Sequence, residues 1–133
     1  MRKNLIHNKS ILNGYVLNNF GLKKTHKILD RSEFLRLSKS GKKIQDHSFI
    51  AVFMPGESLW SRLGITVSKR VGNAVVRNRV KRIIREWFRI NKSCIQGCWD
   101  INVIAKRTAA GLNSHQVFMS LEKIFDKLGR GQD

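Results

Sequence analysis

Residues 73–90 read Asn73-Ala-Val-Val-Arg77-Asn78-Arg79-Val-Lys81-Arg82-Ile-Ile-Arg85-Glu86-Trp87-Phe88-Arg89-Ile90. Wound into a helix at about 100° per residue, Val76, Val80, Ile83, Ile84, Trp87 and Ile90 fall in one sector about 120° wide. Arg77, Asn78, Lys81, Arg82, Arg85 and Arg89 fall opposite, with Arg79 near the edge. One face therefore buries and the other presents guanidinium and ammonium groups to solvent. Like charges three or four residues apart repel by a few tenths of a kcal/mol per pair, and only Glu86 relieves them. A solvated helix face ordinarily mixes signs, so a row of one sign points to a polyanionic partner. The preponderance of arginine suits bidentate phosphate contacts.

Working outward, Asn73 is placed to cap this helix. Upstream, Leu63, Ile65 and Val67 alternate with Gly64, Thr66 and Ser68, the period of a half-buried strand. Phe49-Ile50-Ala51-Val52-Phe53, within 43–54 and closed by Pro55-Gly56, reads as another strand, antiparallel to the 63–67 strand across a loop of moderate length. Asp30 with Glu33 resembles a capping box, Phe34, Leu35 and Leu37 give a short helix one apolar stripe, and Gly41 stops it. Downstream, Trp99, Ile101, Val103 and Ala105 alternate as a third strand. Asn113 and Gln116 open a final helix that carries Val117, Phe118, Leu121, Ile124, Phe125 and Leu128 and ends at Gly129. The order helix, strand, strand, helix, strand, helix predicts an α+β fold: a small mixed sheet of three to four strands with helices packed on it.

The full chain has 133 residues, 41% of them hydrophobic, and a formal net charge of +17, enough for one domain with its own core. The charge is not evenly spread. Residues 62–92 hold ten basic groups against one acid, whereas 113–133 hold three of each. Focused charge marks a binding surface, where general solubility would spread it. Residues 1–21, with five asparagines, three basic groups and no acid, read as a flexible basic arm. The folded domain is expected over 22–129, with a tail at 130–133.

Several classes are disfavoured by the same reading. No run approaches the 18–20 apolar residues of a membrane span, and the polar residues of 1–21 break any signal-peptide core. Cys94 and Cys98 lie four apart with no second Cys or His pair. They are read as reduced thiols of a cytoplasmic protein, neither a zinc knuckle nor a disulfide framework. His7, His26, His47 and His115 are scattered, and Asp30, Asp46 and Asp100 form no carboxylate cluster in sequence, so no catalytic side chain and no protein-held metal are expected. Ser68-Lys69-Arg70-Val71-Gly72-Asn73 puts backbone N–H groups at a helix N-terminus, which suits an anion; an ordinary strand-to-helix turn explains the same residues equally well. The spacing is not that of a phosphate-binding loop, which argues against an ATPase or GTPase.

The run from Arg70 through Arg77-Asn78-Arg79 and Lys81-Arg82 to Arg85-Glu86 resembles the signature of the bacterial ribonuclease P protein component. So do Leu63-Gly-Ile-Thr-Val-Ser-Lys69, Phe34 and Ile101-Asn-Val-Ile-Ala-Lys106, and the likeness extends over 22–128. The resemblance implies a small RNA-binding subunit of a ribonucleoprotein endonuclease. Its catalytic RNA partner would hold the active site and the Mg²⁺ ions and cleave precursor tRNA to release the 5′ leader. Arg79, Arg82 and Arg85 would then mainly meet the catalytic RNA. Phe34, Arg77, Asn78 and Lys81 would line a cleft for the single-stranded leader between the first helix, the sheet and the motif helix. Lys69 and Arg70 would stand beside that cleft, and Arg89 belongs to the same basic face. No membrane and no obligate protein partner are expected. Where some family members carry further aromatics, this chain has Ser38 and Val52, which implies thinner stacking on the leader. The family's crossover around the motif helix is left-handed, a rare arrangement. The competing readings are a general RNA-binding protein with no part in cleavage and a DNA-binding helix protein; for the latter, neither dimerisation heptads nor paired half-site logic is present.

Overall fold

The computed structural model describes residues 22–129; the expected arm at 1–21 and tail at 130–133 lie outside the described residues. Four strands and three helices follow one another: α1 (Arg31–Ser40), β1 (Lys42–Gln45), β2 (Phe49–Pro55), β3 (Arg62–Thr66), α2 (Ala74–Asn91), β4 (Trp99–Ala105) and α3 (Ser114–Gly129). Short 3₁₀ turns occupy Lys24–His26, Lys92–Cys94 and Arg107–Gly111. The sheet is mixed, as expected of this α+β order, with strand order β1-β2-β4-β3.

Two features of the sheet differ from the sequence reading. The run 43–54 is two strands, because Asp46 turns the chain: its Oδ1 accepts from the backbone N–H groups of Ser48 and Phe49, each at 2.9 Å. The 63–67 strand does not pair with 49–53. β4 lies between them, antiparallel to β2 (Phe49 opposite Ala105, Pro55 opposite Trp99) and parallel to β3 (Arg62 opposite Asp100, Thr66 opposite Ile104). The reason is burial. β4 is covered on both faces along most of its length, which demands a central position, whereas β3 ends at an exposed Thr66 and tolerates the edge.

Each face of the sheet packs a different set of helices. Phe49, Ala51 and Phe53 of β2, Ile101 and Val103 of β4 and Leu63 of β3 point to one side. There they join Val80, Ile83, Ile84, Trp87 and Phe88 of α2 and Val117, Leu121, Ile124, Phe125 and Leu128 of α3 in one core. Trp87 lies against Phe125, ring centroids 4.7 Å apart. On the other side α1 places Leu37 on Val52 and Ile28, with Phe34, Ile50 and Ile104 around them. Leu35, assigned to the apolar stripe of α1, instead projects to solvent, since residues three apart, Phe34 and Leu37, already span the contact with the sheet. Phe88, absent from the expected apolar sector of α2, is fully buried because α3 covers the helix on that flank.

The caps follow local chemistry. Asp30 accepts from Ser32 N–H at 3.3 Å and Asn73 accepts from Val76 N–H at 3.0 Å. Asn113 and Gln116 form a reciprocal box, both bonds at 2.9 Å. Gly41 ends α1 with extended backbone. It is required by close approach rather than by conformation, since a Cβ there would stand 2.7 Å from the Leu37 carbonyl oxygen and from Val52 Cγ1.

Trp87→Ala is expected to destabilise the domain by about 3–5 kcal/mol, the usual loss for a buried aromatic; urea unfolding checks it. Asp46 gives a pH dependence. Burial pushes its carboxyl up, but the Ser120 hydroxyl (2.6 Å), the two backbone N–H groups and the charge of Lys106 outweigh this and hold it below its ordinary value. A carboxyl lowered on folding stabilises the fold above its unfolded pKa, about 3.9, and that contribution is lost as pH falls through the folded value. Asp46→Asn should therefore melt below wild type at neutral pH, the gap closing as the pH is lowered beneath about 4.

Candidate nucleic-acid interface

The strand-to-helix turn after β3 delivers the first cations. Lys69 and Arg70 are exposed there. Gly72 then lets the chain pass tightly against α2, where a Cβ would meet Val76 Cγ1 at 2.9 Å. Arg77 folds back over the turn, its Nε donating to the Gly72 carbonyl at 3.1 Å. Along α2 the outward face then carries Asn78, Arg82 and Arg85, exposed, with Arg77 and Lys81 half-buried at its margin.

Two further basic residues assigned to this face are engaged within the protein. Arg79 donates from Nη1 to the Leu112 carbonyl at 3.1 Å and from Nη2 to the Ala110 carbonyl at 2.8 Å. It ties α2 to the 3₁₀ turn at 107–111, so it is part of the fold as well as of the basic motif, contrary to the expectation of a side chain free for RNA. Arg89 is buried and paired with Glu86, three residues earlier, which removes it from the solvent face. The Glu86–Arg89 spacing was readable in the sequence. Partners of Arg79 that lie more than thirty residues away were not.

A cavity of about 200 Å³ opens beside the outer edge of β3. Leu63 and Ile65 form its base, Ile28, Leu29 and Phe34 one wall, and Lys81 and Arg85 the other, with Lys27 at the rim. Phe34 can enter because residue 64 is glycine: a Cβ there would stand 2.5 Å from the Phe34 ring. Of the four residues assigned to the leader cleft, Phe34 and Lys81 line this cavity. Asn78 lies one helical turn before Lys81 on the exposed face, and Arg77 is drawn toward Gly72. Arg85, assigned chiefly to the catalytic RNA, lines the cavity too. Phe34 also packs on the small apolar cluster of Ile28, Leu37 and Val52, so it serves both the core and the cavity. Val52 is buried under α1 and Ser38 is exposed, leaving Phe34 as the aromatic of this wall.

Sequence reading missed the group that seats α1. Arg62 on β3 donates to both carboxylate oxygens of Asp100 on β4, at 3.0 and 2.9 Å, and to Glu33 Oε2 on α1 at 2.8 Å. Arg36 of α1 reaches Asp100 Oδ2 at 3.4 Å. The hydrogen bonds to Asp100 and Glu33, acting against partial burial, raise the Arg62 pKa above its already high value, so the guanidinium stays charged. Glu33 thus holds the sheet rather than closing the expected capping box. No local pattern could have joined positions 33, 62 and 100. Among the described residues no group of three or more His, Cys, Asp or Glu gathers so as to hold a metal ion, and Cys94 and Cys98 are free thiols. No described helix is long and apolar enough to cross a membrane.

The family profile described as Ribonuclease P matches residues 22–129. The chain belongs to the ribonuclease P protein family. It is 47% identical over 114 residues to the ribonuclease P protein component of Desulforapulum autotrophicum, covering 86% of this chain and 97% of that one. The component from Desulfatibacillum aliphaticivorans is 42% identical over 115 residues, covering 86% and 98%. Among solved structures, the Staphylococcus aureus ribonuclease P protein superposes with a TM-score of 0.71 at 37% identity, over 76% of this chain and 93% of that chain. The Thermotoga maritima ribonuclease P protein gives 0.71 at 32% identity, over 76% and 96%. The mixed four-stranded sheet and the basic helix are thus set in the fold of bacterial ribonuclease P proteins.

Arg79 and Arg82 should separate in a melting experiment. Arg79→Ala leaves the Ala110 and Leu112 carbonyls without their charged donor and should cost about 1–3 kcal/mol, whereas Arg82→Ala, at an exposed position, should stay within about 0.5 kcal/mol of wild type.

Proposed function

We propose that this ribonuclease P protein binds the catalytic RNA of the enzyme and the 5′ leader of precursor tRNA, so that the RNA hydrolyses the phosphodiester at the mature 5′ end. The observation that carries this reading is the cavity beside β3, where the aromatic ring of Phe34 faces Lys81 and Arg85 at the end of an exposed cationic row. An unpaired base stacks on an aromatic ring without regard to its identity, and flanking cations take its phosphates. That is the chemistry a leader of variable sequence requires. Asn78, with an amide able to read a base edge, adds a polar contact one turn away. Lys69 and Arg70, exposed on the turn before α2, are assigned to the margin of the cleft and the exposed Arg82 to the catalytic RNA, with Arg85 shared between the two. Neutralising several phosphates releases counterions and accounts for the one-sided charge of α2.

The chemistry is assigned to the RNA. Glu33 on α1 and Asp100 on β4 are both bound to Arg62. They offer a divalent ion no open ligand set, which supports the reading that the Mg²⁺ ions of cleavage sit on the RNA partner. The protein acts by positioning the substrate and neutralising charge, in the cytoplasm and without a further protein subunit.

The test is precursor tRNA cleavage at low Mg²⁺ by the protein alone, the catalytic RNA alone and the two together. Efficient cleavage is expected from the pair only. Tight RNA binding without stimulation of cleavage would favour a general RNA-binding protein instead.

A further inference from the structure

Trp60, in the connection between β2 and β3, is 41% exposed, and Leu59 beside it is 88% exposed. The indole is nevertheless fixed in place. Its N–H donates to the Thr25 carbonyl at 2.8 Å, and its ring meets that of His26 at a tilt of 42°, centroids 5.4 Å apart. Both contacts pin it to Lys23-Lys24-Thr25-His26-Lys27, three lysines and a histidine in five residues. Lys92, just past the end of α2, adds to the group. His26 is held below its ordinary pKa by burial and then by the charges of Lys92 and Lys23. Lys92 is lowered in turn by burial and by Arg89 and Lys23.

The hydrogen bond and the His26 contact fix the indole, but they leave 41% of it exposed among like charges, so part of its apolar surface stays wet and the cations repel. Both costs disappear if a base covers the ring and a phosphate sits among the lysines. The ledge is also continuous with the candidate cleft. Lys27, the residue after the turn, stands at the rim of the cavity that holds Phe34, Lys81 and Arg85. Leu63, in the base of that cavity, is three residues from Trp60, at most about 11 Å along the chain.

We infer that Trp60, with Lys23, Lys24 and Lys92, forms a second stacking site that takes one unpaired base of the 5′ leader beyond the part held beside Phe34. The inference rests on the leader-binding role given to the cavity under the proposed function. It makes the ledge a determinant of leader length, because a short leader ends before reaching it, while stacking leaves it tolerant of sequence.

The experiment uses the holoenzyme assembled from the full chain and the catalytic RNA and measures affinity for precursors with long and short leaders. Trp60→Leu should weaken long-leader binding about tenfold, the value of one stacked base, and leave short-leader binding unchanged. Trp60→Phe should retain most of the long-leader affinity. Lys92→Gln, which leaves the ring in place, should reduce the salt dependence of long-leader binding alone. Equal loss at both lengths, which would set Trp60 against the catalytic RNA or the fold, overturns the inference, as does no loss at either. Phe34→Leu in the same assay separates the two readings, since the cavity reading requires weaker binding at both lengths. Silence there with a length-dependent loss at Trp60 would remove the cavity's role and leave the ledge standing.

Discussion

The helix α2 has to satisfy two opposed demands along one 18-residue segment, and the rest of the molecule is arranged around that constraint. Val80, Ile83, Ile84, Trp87 and Phe88 go into the core. At about 1.5–3 kcal/mol for each fully buried apolar side chain, they supply on the order of 10 kcal/mol. Repulsion among the outward cations costs a few tenths of a kcal/mol per neighbouring pair, so burial prevails and the cations are held in a fixed row. The crossover from β3 to its parallel neighbour β4 puts this helix across the sheet with its basic margin along the β3 edge. The cavity arises there because, among the described residues, no further strand pairs with β3 beyond the isolated bridge from Lys27 to Leu63, which covers part of that edge.

The other wall depends on α1, which has one fully buried apolar side chain, Leu37, and cannot be placed by hydrophobic contact alone. The Glu33–Arg62–Asp100 group supplies the orientation. Asp100 is nearly inaccessible and paired on both oxygens, and losing such a partner ordinarily costs about 3–5 kcal/mol because a buried charge is left behind. The same seat allows the Phe34 ring to lie against Gly64. This wall of the cavity is thereby fixed by ion pairs on the side of the sheet away from the main core, and its position is decoupled from the packing of α2 and α3.

Most of the architecture could be read from residue patterns. The caps Asp30, Asn73 and Asn113, the alternation in 63–67 and 99–105 and the apolar periodicity of 113–129 all mark elements that are present. Strand neighbours could not be read in this way, since alternation says which face a residue takes and not which strand lies beside it; the central place of β4 depends on burial over both faces. The basic row was legible through Lys81, Arg82 and Arg85. That Arg79 and Arg89 are engaged within the protein was not legible in a helical projection, which treats every outward cation as solvated and ignores the 107–111 turn and the local Glu86 pair. The cleft itself rested on family likeness, and its geometry comes from Gly64, whose lack of a side chain signals nothing until Phe34 is seen against it.

The central claim is that a single-stranded leader lies between Phe34 and the Lys81–Arg85 margin of α2. The direct measurement is photocrosslinking of a precursor tRNA carrying a photoreactive nucleotide in the leader, bound to the holoenzyme, followed by identification of the attached peptides. Crosslinks to the peptides containing Phe34 and Lys81 are the result this account requires. Crosslinks confined to the opposite face, on α3, or to the catalytic RNA alone would contradict it.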